Sequence, residues 1–315
     1  MKSILTLLFF IHFFLSISLA QNFGTARGLM GSQSECVNQK LELITLNAVK
    51  QMVSDNDTRF DLSGMVDFQG KILVIADKEW DKFIYEVEVG SDNFKCGTFI
   101  DLCPDFKMDI EGIDYSNKHF YLIEETTNDV YEVFIGLCKM SKLPIPFDKF
   151  GIDRSEWGNK GFEGIAVDGV NQILYLAKER EPRRIFSVDL KTLDISEPFV
   201  DQLFDGGGHD ISDMKYENGF LYIMERGLGQ ITRINIETKE KVSVSYQDYV
   251  YSNGYRMYMN QNPQYGMDEA FMLRNNEIWI GIDNNGDPVS EYGKSVGLKD
   301  GNKTAIIVFK RPKGF

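Results

Sequence analysis

A unit of about fifty residues recurs five times along the chain, and this repeat limits the fold more than any other feature. "DLSGMVDFQGKILVIAD" (61–77) aligns without a gap on "DIEGIDYSNKHFYLIEE" (109–125). "GFEGIAVDGVNQILYLAKE" (161–179) adds two residues at the turn, "DISDMKYENGFLYIMER" (210–226) matches again, and "MDEAFMLRNNEIWIGID" (267–283) is a fifth copy. Each copy reads as a short strand, a turn rich in Asn, Gly or Asp, and a second strand. A third strand usually follows, as in "FIYEVEV", "DVYEVFI", "RIFSVDL" and "QITRINI", and "GTFIDL" and "EPFVDQLF" can serve as fourth strands. Repeats of this length point to a solenoid or a propeller, and four antiparallel strands per repeat point to propeller blades. No long helical period competes with this reading.

The expected fold is therefore all-β, a five-bladed β-propeller. After "EIWIGID" the chain offers one more strand, "TAIIVFK" (304–310), which leaves the fifth blade without its outer strand. The N-terminal "KLELITL" (40–46) can supply it, closing the ring and removing an exposed strand edge. A six-bladed ring is the alternative if residues 240–262 carry more structure than their pattern suggests.

Residues 1–20 read as a cleaved secretory signal: Lys2, an apolar run from Ile4 to Ile17, and small residues before Gln21. Residues 21–35 then form a linker and residues 36–315 the propeller. The run is shorter than the roughly 20 residues a membrane span needs, so no membrane partner is expected. The expected location is extracellular, or periplasmic in a bacterial source. Four cysteines, Cys36, Cys96, Cys103 and Cys138, suggest two disulfides in an oxidising compartment, with the pairing open. Asn56 and Asn302 head glycosylation sequons. The whole chain has a net charge of −13, with 34 basic and 47 acidic residues. Such a surface repels phosphate backbones and excludes nucleic acid as a natural partner, while it suits metal cations.

In a propeller the first strand of each blade lies nearest the axis, and the loop leading into it shares a face with the loop trailing the second strand. The leading column holds Ser63, Glu111, Glu163, Ser212 and Glu269; the trailing column holds Asp77, Glu125, Glu179, Arg226 and Asp283. Acids converging on one axis repel one another unless a cation or protons neutralise them. Oxygen ligands from several loops suit calcium, so Glu111, Glu163, Glu269, Asp77, Glu125, Glu179 and Asp283 are the candidate ligands. Asp61, Asp109 and Asp210, two residues before the leading column, could add ligands or cap turns. The competing explanation is that the acids tie neighbouring blades together.

At these residues the chain resembles the superfamily of exported propellers that includes the SdiA-regulated proteins and those called esterase-like activity of phytase. The closest stretch is "NKGFEGIAVDGVNQILYLAKEREP" (159–182); "DIEGI…YLIEE" is similar to the preceding repeat, and "WIGIDNNGD…TAIIVFKRP" resembles the phytase-like C-terminal end. A weaker likeness, to the five-bladed calcium-activated nucleotidases, is confined to residues 61–77. The resemblance implies a propeller with a central calcium and, for the phytase-like branch, phosphoesterase or esterase activity. Ser63, Ser212 and Arg226 depart from a fully acidic ring, which argues against a multi-calcium phytase site.

Other chemistry is sparse. There is no G-x-S-x-G motif, and beyond the leader the histidines are His119, in a turn expected on the opposite face, and His209. His209, which leads into the fourth blade, is the candidate for handling a proton, and Arg226 the candidate for holding an anionic group. Gly206, Gly207 and Gly208 lack the Lys and helix that a phosphate-binding loop requires. Two functions follow. One is a calcium-assisted hydrolase acting on a small anionic or ester substrate; the other is a non-catalytic propeller with a structural calcium and a protein or glycan partner.

Overall fold

The computed structural model describes residues 59–78, 82–90, 93–102, 108–135, 140–199, 210–252, 255–259 and 267–315, and the backbone of Gln39–Lys40, Glu42–Leu43 and Val49–Ser54. Blade 1 consists of Leu62–Phe68, Lys71–Ala76, Phe83–Val89 and Phe94–Asp101. Blade 2 consists of Ile110–Ser116, His119–Glu124, Asp129–Phe134 and Met140–Lys142. Blade 3 has Phe162–Asp168, Ile173–Lys178, Arg184–Asp189 and a two-residue outer strand, Ile195–Ser196. Blade 4 has Ile211–Glu217, Phe220–Glu225, Gln230–Asn235 and Lys241–Ser245, and blade 5 has Asp268–Arg274, Glu277–Ile282 and Ala305–Lys310. Within each blade consecutive strands pair antiparallel.

These segments fold as blades because their strands are buried on both faces: all seven residues of Phe162–Asp168 are buried. In blades 1, 2 and 4 the first two strands meet at two-residue turns in which both residues take positive φ, as at Asn218 (φ 51°) and Gly219 (φ 85°), the geometry that such hairpins favour. Five apolar clusters then fill the five spaces between adjacent blades. Phe68 and Ile113 share the cluster between blades 1 and 2, while Leu62, Met272 and Trp279 share the one between blades 5 and 1. This last cluster closes the ring.

Closure also uses the N-terminal segment, over more of it than expected. Glu42–Leu43, within the expected "KLELITL", pairs antiparallel with the end of the last strand, Glu42 opposite Lys310 and Leu43 opposite Phe309. Val49–Ser54 then completes the edge, pairing antiparallel with Ala305, Ile306 and Ile307 before running parallel to Phe94–Asp101 of blade 1. Gln39–Lys40 joins the outer strand of blade 4 in parallel. Residues 240–262 add no sixth blade among the described residues. They supply the outer strand of blade 4, a short helix at Gln247–Val250, and a hairpin of Tyr251–Ser252 with Tyr255–Arg256. In blade 3 the described outer strand, Ile195–Ser196, precedes "EPFVDQLF", whose residues 200–204 lie outside the described residues.

The disulfide expectation is corrected. Among the described residues no two cysteines stand at bonding distance. Cys96 turns inward with Phe94 and is buried in the apolar cluster between blades 5 and 1. Cys36, Cys103 and Cys138 lie outside the described residues, as do the 1–20 leader, Asn56 and His209. No described helix is long and apolar enough to cross a membrane.

Candidate metal centre

The innermost strand of every blade breaks register at the same place. The slips fall between Leu62 and Gly64, Ile110 and Gly112, Phe162 and Gly164, Ile211 and Asp213, and Asp268 and Ala270. The bulged residues are therefore Ser63, Glu111, Glu163, Ser212 and Glu269, the leading column. A bulge re-aims its side chain away from the alternating pattern of the strand. In blades 1, 2 and 3 the bulged residue is followed by a glycine, which lets the neighbouring blade approach: a Cβ at Gly112 would lie 2.7 Å from the Glu163 carbonyl oxygen.

The trailing column is fixed against the leading one by a backbone bond repeated in all five blades. The amides of Asp77, Glu125, Glu179, Arg226 and Asp283 donate to the carbonyls of Asp61, Asp109, Gly161, Asp210 and Met267, at 2.6–3.2 Å. Both columns thus open on one mouth, and the side chains there divide into two groups.

In the first group, ligand oxygens of Asp77, Asp109 and Glu111 all lie within 4.8 Å of one another, so these three could hold a metal ion. Asp77 Oδ1 and Asp109 Oδ1 are buried with no hydrogen-bond partner. A buried carboxylate oxygen without a partner is costly, and its orphaning marks a place where a cation fits. Burial, then Asp77 and Glu125, push Asp109 up to about 7. Burial, then Asp77 and Glu163, hold Glu111 well above the usual carboxylate range. Burial also raises Glu125, with Asp77 adding to the effect. Lys78 bounds the group, its Nζ 2.6 Å from Asp77 Oδ2 and 3.2 Å from Asp61 Oδ2. Asp283 lies near Asp61 and Asp77, is raised chiefly by burial, and accepts from the Asn285 amide at 2.9 Å.

In the second group, carboxylates surround the guanidinium of Arg226. It pairs with Glu269 and Glu179, and stands 3.3 Å from Asp210 Oδ2 and 3.7 Å from Glu163 Oε2. Burial opposes its charge, but Glu269, Glu163, Glu179 and Asp210 outweigh that and hold it protonated. Arg180 supports the same group through Glu179 and through Asp210 at 2.9 Å. Burial raises Glu179 to about 7 and Glu269 to about 8, with Arg226 pulling both back.

The serines of the leading column serve the ring itself. Ser63 Oγ donates to the Ile110 carbonyl at 2.5 Å and Ser212 Oγ to the Asp268 carbonyl at 2.8 Å, each tying its blade to the next. Below the mouth, Lys215 reaches across the axis from blade 4 to the Ile113 carbonyl of blade 2 at 3.2 Å. It also pairs with Asp213 at 2.7 Å, and Val66, Asp114, Ala166 and Met272 are buried at the same level. The axis is filled there, so the mouth has a floor. Asp114 and Asp213 accept the amides of Val167 and Phe271, stitching blade 2 to blade 3 and blade 4 to blade 5. His119 lies elsewhere, at the start of the second strand of blade 2 just after the inter-strand turn, with Nδ1 3.0 Å from Glu132.

Sequence reasoning named Asp109 only as a possible addition and missed Lys78, Arg180 and Lys215. Position alone marks Lys78 and Arg180, each one residue after a trailing-column acid. Lys215 shows itself as a charge inside an otherwise apolar inner strand.

These geometries frame the comparison with known proteins. Residues 95–248 match the SdiA-regulated family. The SdiA-regulated match runs from the outer strand of blade 1 to the end of blade 4, and it contains both "DIEGI…YLIEE" and residues 159–182. The C-terminal stretch of residues 279–312 lies beyond it. Among solved structures, the glutaminyl cyclase of Myxococcus xanthus is similar at 8% identity and a TM-score of 0.50, covering 88% of this chain and 100% of that one. A luciferin-regenerating enzyme is similar at 11% identity and a TM-score of 0.46, covering 80% and 78%. The first likeness speaks for the fold alone, and the second carries no weight for function.

The raised carboxylates set the sign of a pH effect. Asp109 has an unfolded value of 3.8 and a folded value of about 7, so between these the native state binds more protons than the unfolded chain. Stability is full below the lower value and is lost as pH rises through the upper one. In metal-free buffer the thermal midpoint is expected to fall between about pH 4 and pH 8, most steeply at about pH 5–6, where the unfolded chain has released the proton and the native state still holds it. Saturating calcium should flatten the fall, because the ion replaces the proton. A midpoint that rises over this range without metal would contradict this electrostatic description.

Proposed function

We propose that the protein is an exported, phytase-like propeller that binds one calcium ion at its mouth and acts there on a small phosphoester or carboxylic ester. The observation that carries the reading is the group of Asp77, Asp109 and Glu111, all oxygen ligands, with two orphaned buried oxygens among them. Hard oxygen donors from separate loops suit calcium better than they suit the softer transition metals. Extracellular sites of this kind bind with dissociation constants on the order of 10⁻⁴–10⁻³ M.

Calcium at this place would supply the positive charge needed to draw an anionic or carbonyl oxygen to an acidic mouth. The chain's own residues do the rest. Asp77, Asp109 and Glu111 hold the ion, and Glu125 adds negative charge beside them. Lys78 keeps Asp77 and Asp61 in place and offers an ammonium at the edge of the site. Arg226 keeps Glu163 and Glu269 together; its two terminal nitrogens are already given to carboxylates, so we assign it a counter-ion role and not a clamp on substrate. His209 is retained as the group that handles a proton. The floor at Lys215 confines a ligand to the mouth face.

The second reading, a binding propeller with a structural calcium, draws support from Ser63 and Ser212, whose hydroxyls at leading positions tie neighbouring blades together. The test is hydrolysis of a generic aryl phosphate and an aryl ester, with calcium and with chelator. Under the first reading turnover appears with calcium and falls at least about tenfold with chelator. Calcium binding without turnover of either ester selects the second reading.

A further inference from the structure

We infer that Arg226 stands where a second metal ion would otherwise sit, and thereby fixes the mouth at one ion. The inference rests on the calcium reading given above.

Arg226 is the exception in its column: the other four trailing positions are the acids Asp77, Glu125, Glu179 and Asp283. Its guanidinium is surrounded as a cation in a metal site is surrounded. Glu163 and Glu179 come from blade 3, Asp210 from the loop leading into blade 4, and Glu269 from blade 5, and all four reach its two terminal nitrogens. Glu179 is fully buried, and its Oε2 has no hydrogen-bond partner, so this group holds ligand capacity that the guanidinium does not use. Four carboxyl groups face two guanidinium groups, Arg226 and Arg180, so the acids outnumber their cations by two.

A guanidinium is planar and presents its donors at its edge, whereas calcium accepts six to eight oxygens in adaptable geometry. Removing the guanidinium leaves four acids around a vacated volume, with Arg180 alone against them. That arrangement neutralises itself most effectively by taking up a divalent cation. The native Arg226 delivers the charge permanently and needs no metal, so half of the mouth stays assembled at any calcium concentration, and only the half at Asp77, Asp109 and Glu111 responds to the ion.

The experiment is calorimetric titration with calcium chloride of the full chain, of Arg226→Ala and Arg226→Gln, and of Arg226→Lys, with thermal melts of each in chelator and in calcium. The expected stoichiometry is one ion for the native protein and for Arg226→Lys, and two for Arg226→Ala and Arg226→Gln. Adding Glu269→Gln to Arg226→Ala should return it to one. A neutral variant that folds only in calcium and then holds two ions has the same meaning. One ion in the folded neutral variants overturns the inference, and so does failure of both to fold at any calcium concentration, since calcium then does not replace the guanidinium. A native protein that binds no calcium overturns the preceding functional reading, whereas the step from native to Arg226→Ala still decides the role of Arg226.

Discussion

Asp109→Asn abolishes calcium binding and, in chelator, makes the protein more stable than the native chain. The two signs follow from one cause. Asp109 Oδ1 is buried without a partner, and the carboxyl is pushed up to about 7 by burial and by its neighbours Asp77 and Glu125. An amide removes the charge that repels those neighbours, which favours the metal-free fold. The same change removes one of three carboxylate ligands, and the two left cannot replace it. Calcium at about a hundred times its dissociation constant stabilises the native protein by roughly 2.7 kcal/mol. At about 2–4 °C per kcal/mol for a domain of this size, the native midpoint should rise by roughly 5–10 °C with calcium, and the variant's should not move. Melts of both proteins in chelator and in calcium check this. A variant that is still stabilised by calcium to the native extent would remove Asp109 from the site.

Lys215→Met is expected to cost about 3–5 kcal/mol, the largest single loss outside the apolar clusters, because it strands Asp213 in the filled axis. Asp213 is fully buried, and burial already holds it up at about 7 despite the ammonium 2.7 Å away. Its carboxylate also accepts the Met214 and Phe271 amides, so it cannot turn to solvent without breaking the stitch to blade 5. Without Lys215 the acid is driven to its protonated form, and the loss should shrink as pH falls toward about 5. Urea unfolding at two pH values measures the effect. Calcium binding should survive, since Lys215 contacts neither Asp77, Asp109 nor Glu111. A loss below about 1 kcal/mol at neutral pH would mean that the axis is wetter than its buried residues indicate.

The ring was legible in the sequence because a repeat writes the same structural instruction five times. "DLSGMVDF" and "DIEGIDYS" carry the inner strand, the bulge and the glycine of close approach in identical register, and the trailing acids follow at a constant distance. What could not be read was how the acids divide. Glu111 and Glu163 occupy equivalent positions, yet Glu111 joins Asp77 and Asp109 while Glu163 faces Arg226. The difference is made by one residue in the next blade, and no local pattern reports contacts across an axis. The closing strand shows the same limit: alternation marked "KLELITL", but pairing with the last strand is decided by three-dimensional register, and Val49–Ser54 takes most of it. Cysteine parity suggested disulfides, whereas the inward alternation of "FKC" determines that Cys96 packs in an apolar core.

The central claim is that one divalent ion belongs between Asp77, Asp109 and Glu111. Crystals grown in millimolar calcium, with the ion located by its anomalous signal, test it most directly. The account predicts a single peak touching oxygens of those three side chains at about 2.3–2.6 Å, with Arg226 still holding Glu163 and Glu269. A peak centred among Glu163, Glu179 and Glu269 with Arg226 displaced, or no peak anywhere at the mouth, would contradict it.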